Sequence, residues 1–305
     1  MTRQQRFLVA RIAVVVALFH CASAFVQHHG PKGRLSAQTA RASSPRYSRM
    51  AVTTPDALQL LEDVSVFSAA TGESMPLTKA WDLRPRGEKT IVSFLTHFAD
   101  FNSWELAQKL RHNLPAIDDA GTKVVAVGIG SILGAKAFAA ATGFPLGSLY
   151  VDESANAYSA LNFAQGFQPK LPGKIKVNPY LRLLPMLAGI GSPGTIQAVL
   201  RGYTGDRSAN AEWVGTTLQI VDKSAFDVLG TDGARPLEVA TVRLQNMAEI
   251  LRKWDVLSPP NKELITQQGG TLVFDGAEVI YEYRDKGILT YCDVDVLMDV
   301  VGARR

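Results

Sequence analysis

Residues 90–110 read TIVSFLTHFADFNSWELAQKL, and this stretch decides the fold. Ile91, Val92, Phe94, Leu95 and Phe98 form a near-continuous apolar run, largely β-branched or aromatic, as expected of a central strand covered on both faces. Asp100, Asn102 and Ser103 follow as three candidate N-caps, and Leu106, Ala107 and Leu110 recur at helical spacing. The stretch therefore predicts a strand running through a short loop into a helix N-terminus. Free N–H groups and the helix dipole at such a junction favour an anion or a thiolate. No cysteine stands in this loop.

On either side the same kind of reading applies. Residues 64–67 and 75–77 are short strand candidates about the turn Thr71-Gly72-Glu73. Gly121 closes the first helix, residues 122–130 (TKVVAVGIG) read as a second buried strand, and residues 131–142 form a second helix ended by Gly143. Residues 148–152 make a third strand, which gives a βαβ unit with a parallel sheet. Residues 270–284 (GTLVFDGAEVIYEYR) predict a hairpin about Asp275-Gly276, and residues 293–301 a terminal helix.

The formal net charge of +4 is misleading. Eight of the 32 basic residues and none of the 28 acidic ones fall in residues 1–50, so the remainder holds 24 basic against 28 acidic residues and is formally negative by about 4. A basic pI is therefore no sign of nucleic-acid binding, and none is expected. The two cysteines are Cys21 and Cys292. If Cys21 is removed with a leader, Cys292 stands alone, and neither an internal disulfide nor a cysteine-rich metal site can form. No cofactor and no metal are expected.

The leader itself has two parts. Arg3, Arg6 and Arg11 precede the apolar segment 12–24 (IAVVVALFHCASA), which reads as a signal peptide over 1–24. Residues 25–50 lack acid and are rich in Arg, Ser and Ala, the composition of a transit peptide. Ala22-Ser23-Ala24-Phe25 resembles the ASAF cleavage motif of presequences that address secondary plastids. Plastid localisation, in the stroma or on the thylakoid, is the expectation; secretion is the alternative.

Together, residues 93–110, 121–131, 142–145 and 151–161 resemble the peroxiredoxin-like branch of the AhpC/TSA antioxidant family, within the thioredoxin-like superfamily. The segments AGIGSPGTIQAVLRGYTGDRSA (188–209), RPLEVATVRLQNMAEIL (235–251) and QQGGTLVFDG (267–276) resemble its cyanobacterial and plastid members. The resemblance spans roughly residues 60–295 and implies an α/β thioredoxin-like fold, a central sheet flanked by helices, over residues 58–305. It also implies a family F-G-C-x-x-C loop at FADFNS, with Ala99 on the glycine, Asp100 on the first cysteine and Ser103 on the second. Peroxide reduction needs a sulfur that becomes a sulfenic acid, which neither a carboxylate nor a hydroxyl can provide. Asp100 then reads as a helix cap or dipole partner, with a ligand role for Asp100, Asn102 and Ser103 as the alternative. His97 reads as a packed strand-end residue, with a catalytic base as the alternative. Cys292 reads as a buried, inert thiol; as an active one it would keep an antioxidant oxidoreductase in play.

Thioredoxin-like cores are short, so residues 162–268 are expected to form a mostly helical insertion. Residues 154–204 contain no Asp or Glu and five basic residues, Lys170, Lys174, Lys176, Arg182 and Arg201. Within them, PYLRLLPMLAGI (179–190) is apolar but too short to span a bilayer. Its leucines, with Met186, are read either as core or as a peripheral contact with a thylakoid membrane or a plastid protein complex, involving Lys170, Lys174, Lys176 and Arg182. The glycine-rich turn 189–195 places Gly191 and Ser192 before a helix as a weak anion-binding signal, a flexible turn being the simpler reading. The shorter Gly128-Ile129-Gly130 falls short of a dinucleotide motif. Residues 236–254 predict a helix with Leu237, Ala240, Leu244, Met247, Leu251 and Trp254 on its core face and a Glu249–Lys253 pair outside.

Overall fold

The computed structural model describes residues 57–81, 85–169, 177–204, 212–220 and 236–303. The two-part leader, Lys170, Lys174 and Lys176 lie outside these residues. In chain order, α1 (Ala57–Glu62) leads into β1 (Ser65–Ser68), β2 (Ser74–Pro76) and β3 (Lys89–His97). Then come α2 (Phe101–Asp119), β4 (Lys123–Ile129), α3 (Ile132–Thr142), β5 (Leu149–Val151) and α4 (Asn156–Ala160). Five helices follow: α5 (Pro179–Leu187), α6 (Thr195–Thr204), α7 (Glu212–Ile220), α8 (Pro236–Arg252) and the short α9 (Trp254–Leu257). The chain closes with β6 (Gly270–Asp275), β7 (Glu278–Arg284) and α10 (Val294–Val301).

The strands form one mixed sheet in the order β2-β1-β5-β4-β3-β6-β7, with β3 parallel to β4 and antiparallel to β6. β3 is buried along nearly its whole length because it feeds two cores. Ile91 and Leu95 point into an apolar cluster with Leu110, Phe138 and Leu297, while Val92 and Phe94 join Trp81, Tyr158 and Phe274 in a second cluster. A strand with apolar residues on both faces can sit only in the middle of such a sheet. Helices on both faces of a mixed sheet in this order make the fold thioredoxin-like α/β.

Local signals explain the boundaries. Ser131 caps α3 by accepting from the Gly134 N–H at 3.0 Å, and Gly143 ends it in a left-handed conformation at φ 71°. The 128–130 glycines serve packing rather than phosphate binding. A Cβ on Gly128 would lie 2.3 Å from the Phe98 ring, and one on Gly130 2.5 Å from it, so the missing side chains make room for Phe98.

Of the core face expected for α8, Met247 is buried and Leu251 and Trp254 are half-buried, while the side chains of Leu237 and Ala240 lie outside the described residues. Val242, Asn246, Met247 and Ile250 are buried while Leu244 is exposed. Polar ties hold the buried side of the helix to α2: Gln108 and Asn246 exchange amide hydrogen bonds of 2.9 and 3.0 Å, and Arg243 pairs with Glu105. The Glu249–Lys253 pair forms as the spacing predicts, at 2.8 Å.

Candidate functional site

The β3–α2 junction is built from residues 96–105, and nearly every polar side chain in it is satisfied internally. Asp100 occupies the N-cap position with extended backbone, φ −104° and ψ 143°, yet its side chain makes no capping bond. The carboxylate instead accepts from Thr96 Oγ1. Because that hydroxyl has one proton and gives it to Asp100, the 2.8 Å contact between Thr96 and Ser103 is a donation by Ser103 Oγ. Asp100 and Ser103 are thus joined through Thr96 in a short chain that ends on a carboxylate. Asp100 thus stands at the N-cap position with its carboxylate bound to Thr96, near the end of β3, rather than to the helix N–H groups.

Asn102 is buried and faces away from this chain. Its Nδ2 donates to the Gly287 carbonyl at 3.1 Å, and its Oδ1 accepts from the Leu289 N–H. His97 is sealed as well: Nδ1 accepts from the Ala99 N–H at 3.2 Å, so Nε2 carries the proton and donates to the Ile265 carbonyl at 3.1 Å. Burial pushes its pKa below the ordinary histidine value. With both ring nitrogens engaged, His97 offers no free base in this arrangement.

A second carboxyl, not visible as a site in the sequence, lies behind the loop. Asp285, immediately after β7, is buried, and burial together with the negative charge of Asp100 pushes its pKa well above the usual carboxylate range. A Cβ on Gly269 would stand 1.9 Å from the Phe94 carbonyl oxygen and 3.3 Å from Asp285 Oδ2, so the glycine is there for the close approach of β3, beside the carboxyl. No spacing rule connects Asp285 to residue 100; the β3–β6–β7 pairing does.

Cys292 is 0% exposed and donates to Thr271 Oγ1 of β6 at 3.3 Å. Burial raises its pKa to about 12, against an ordinary value of 9.0. A thiol in that state is protonated at physiological pH. Its recorded bond is to β6, and none joins it to the loop residues.

The basic and glycine-rich candidates of the helical region hold structure together. The Arg182 guanidinium is buried and meets Glu263 at 2.7 Å. Ser192 Oγ accepts from the Ile288 N–H at 2.8 Å, while Thr195 Oγ1 donates to the Ile288 carbonyl at 3.0 Å. Gly191, exposed, turns the chain at φ 67° beside Phe167. Neither Arg182 nor Ser192 presents a free group to an anion or a membrane. Asn102 grips Gly287 and Leu289 from one side and Ser192 with Thr195 grips Ile288 from the other, so loop 287–289 is a clasp between the junction and the α5–α6 region.

Next to the clasp sits a polar cluster centred on Glu105. Arg243 binds its carboxylate with two bonds of 2.8 and 3.1 Å, Tyr291 donates to it at 2.6 Å, and Lys109 stands 3.8 Å away. Glu105 belongs to the opening stretch, but its partner is 138 residues distant and no helical spacing points to it.

Residues 109–287 match the family described as AhpC/TSA antioxidant enzyme, a span that begins within α2, just beyond the junction loop. Over 108 residues the chain is 32% identical to the thioredoxin-like protein AAED1, chloroplastic, of Arabidopsis thaliana. That alignment takes in 34% of this chain and 42% of the relative, so less than half of the relative's length is spanned. No solved structure matches the chain. A family match over more than half of the residues, on a thioredoxin-like sheet, places this protein in the AhpC/TSA antioxidant enzyme family.

Proposed function

We propose that this is a plastid-targeted, peroxiredoxin-type protein that acts by binding, as a scaffold, rather than by reducing peroxide. The observation that supports this most directly is the state of its sulfur. Asp100 and Ser103 stand where the family resemblance puts cysteines, and the thiol that remains after the leader, Cys292, is wholly buried with its pKa raised to about 12. Reduction of a hydroperoxide transfers an oxygen to a thiolate, giving a sulfenic acid and an alcohol or water, and the cycle needs a thiol reductant to reach that sulfur. Cys292 meets neither condition. The junction's hydroxyls, meanwhile, are spent on Asp100 and on each other, and the Asn102 amide on holding loop 287–289.

The chain from Ala51 onward, given peroxide with thioredoxin or glutathione as reductant, is expected to show no consumption above the protein-free rate, and Cys292→Ser should behave the same. Robust turnover that disappears in Cys292→Ser would overturn the reading and establish an oxidoreductase.

The plastid address draws on the two-part leader and on the chloroplastic relative. Residues 1–50 fused to a fluorescent protein are expected to accumulate in the plastid of an alga with secondary plastids. Fluorescence in the secretory path or the cytosol would sink this assignment.

A further inference from the structure

Loop 287–289 is gripped through its backbone from two sides. Asn102, in the first turn of α2, donates from Nδ2 to the Gly287 carbonyl at 3.1 Å and accepts at Oδ1 from the Leu289 N–H. From the other side Ser192 Oγ accepts from the Ile288 N–H at 2.8 Å, and Thr195 Oγ1 donates to the Ile288 carbonyl at 3.0 Å. The fit is close, because a Cβ on Gly287 would run into Ser192. Leu289 lies in the left-handed region at φ 59°. That conformation is uphill for a leucine, so the closed loop stores strain that these hydrogen bonds offset. Losing a bond therefore also releases strain.

A carboxyl precedes each half of the Asn102 grip. Asp100 stands two residues before Asn102, and Asp285 two residues before Gly287. Asp100 is half-buried at the start of α2 and accepts from Thr96. Asp285 is 6% exposed, between the end of β7 and the loop, with Oδ2 beside Gly269 ahead of β6. Burial and the charge of Asp100 disfavour its ionised form, and the Gly269 backbone is the one group that favours it. The other titratable groups around the pair are Tyr158 of α4 and Cys292 ahead of α10, both of which feel Asp285, and His97 of β3, which feels Asp100 and Lys262. Of the chain neighbours of Asp285, Arg284 is paired with Glu282 and Lys286 is exposed. A second negative charge at Asp285 thus meets like charge and little water, and opening the loop relieves both.

We propose that loop 287–289 is a pH-sensitive clasp, closed while Asp285 carries a proton and released when Asp285 and Asp100 are both charged. Release frees Ile288 from Ser192 and Thr195, and so loosens the α5–α6 region from the junction while the sheet stays formed. This goes beyond the binding role above and does not rest on it, since neither peroxide chemistry nor a partner enters. The sign follows from linkage. Asp285 binds its proton more tightly in the closed state than in the open one, so closure is fully favoured below the ordinary carboxyl value of 3.8. That advantage is lost as pH rises toward the raised value of the closed state.

All seven strands and both large apolar clusters lie within residues 57–303, so the chain from Ala51 holds the whole fold. Hydrogen exchange at the Ile288 and Leu289 amides reports the clasp directly, because those two N–H groups are the ones it holds. Followed by NMR from acid to mildly alkaline pH, with the intrinsic rate divided out, their protection should fall by up to about tenfold per pH unit across the titration. Protection at Val273 of β6, opposite Ile91 in the sheet, should hold. Asp285→Asn is neutral at every pH and should keep both clasp amides protected with no such fall. Asn102→Ala should leave the Leu289 amide unprotected throughout. Should Asp285→Asn fail to fold, Asp100→Asn removes the other charge and should retain more protection than wild type at the alkaline end. Clasp protection that does not change with pH, an equal fall in Asp285→Asn or Asp100→Asn, or a parallel loss at Val273 would overturn the proposal.

Discussion

Glu105→Ala is expected to lower the stability of the folded chain by about 3–5 kcal/mol, the usual consequence of leaving a buried charge without its partner. The carboxylate side chain is 4% exposed and that of Arg243 15%, so water replaces little of what is lost. Burial by itself would raise the Glu105 pKa, but the charges of Arg243 and Lys109, with the hydrogen bonds from Arg243 and Tyr291, outweigh it and hold the group at about 2 against an ordinary 4.5. A depression of that size corresponds to about 3 kcal/mol, in keeping with the mutational figure. The sign of the pH dependence follows. The folded value lies below the unfolded one, so the contribution is complete above about pH 4.5 and is lost as pH falls from there toward 2. Denaturant titrations at neutral pH and near pH 3 should show the gap between wild type and Glu105→Ala closing in acid. A variant as stable as wild type at neutral pH would mean that the pair contributes nothing net. The loss should fall on the attachment of α8 as well as on global stability, because Glu105 is where α2, α8 and the segment before α10 are tied together.

Phe98→Ala should cost a similar amount, about 3–5 kcal/mol, for a different reason. The ring is fully buried, 5.3 Å from Phe138 between centroids, and rests over the positions where Gly128 and Gly130 have no side chain. Removing it opens a cavity at the base of the junction. A second substitution separates cavity from clash. Gly128→Ala alone should destabilise by about 1–3 kcal/mol, because its methyl would meet the Phe98 ring at 2.3 Å. In the presence of Phe98→Ala that methyl has space, so the double variant should be more stable than the two losses summed. Additive losses in denaturant titrations would show that the glycines are not there for the ring.

How much of this could be read in advance depends on distance along the chain. The central strand, the Gly143 stop of α3 and the Asp275-Gly276 turn are all encoded within a few residues of where they act, and all form as read. Asp100 holds the N-cap position, but its carboxylate goes to another local donor, Thr96, and residue types alone do not rank that hydroxyl against the helix N–H groups. The buried polar side of α8, Arg243 and Asn246, gave no local sign, because their partners lie on α2, 138 residues away. Arg182 was read as a surface charge and its neighbouring leucines as either core or contact; the ion pair with Glu263, 81 residues on, turns the helix over. Asp285 and the 287–289 clasp left no local sign, since they arise where strand order brings the two ends of the domain together.

That strand order also governs how the chain must be made. β3 pairs along one edge with β4, which follows it closely, but its other edge waits for β6, roughly 180 residues later in synthesis. At ribosomal speeds of about 5–20 residues per second, this leaves the unpaired edge of TIVSFL open for on the order of ten seconds or more on each nascent chain. A strand so apolar and so rich in β-branched and aromatic residues is a template for intermolecular pairing during that interval. Yield in a foreign host should therefore be set less by the stability of the finished protein than by how well chaperones shield one edge of its central strand.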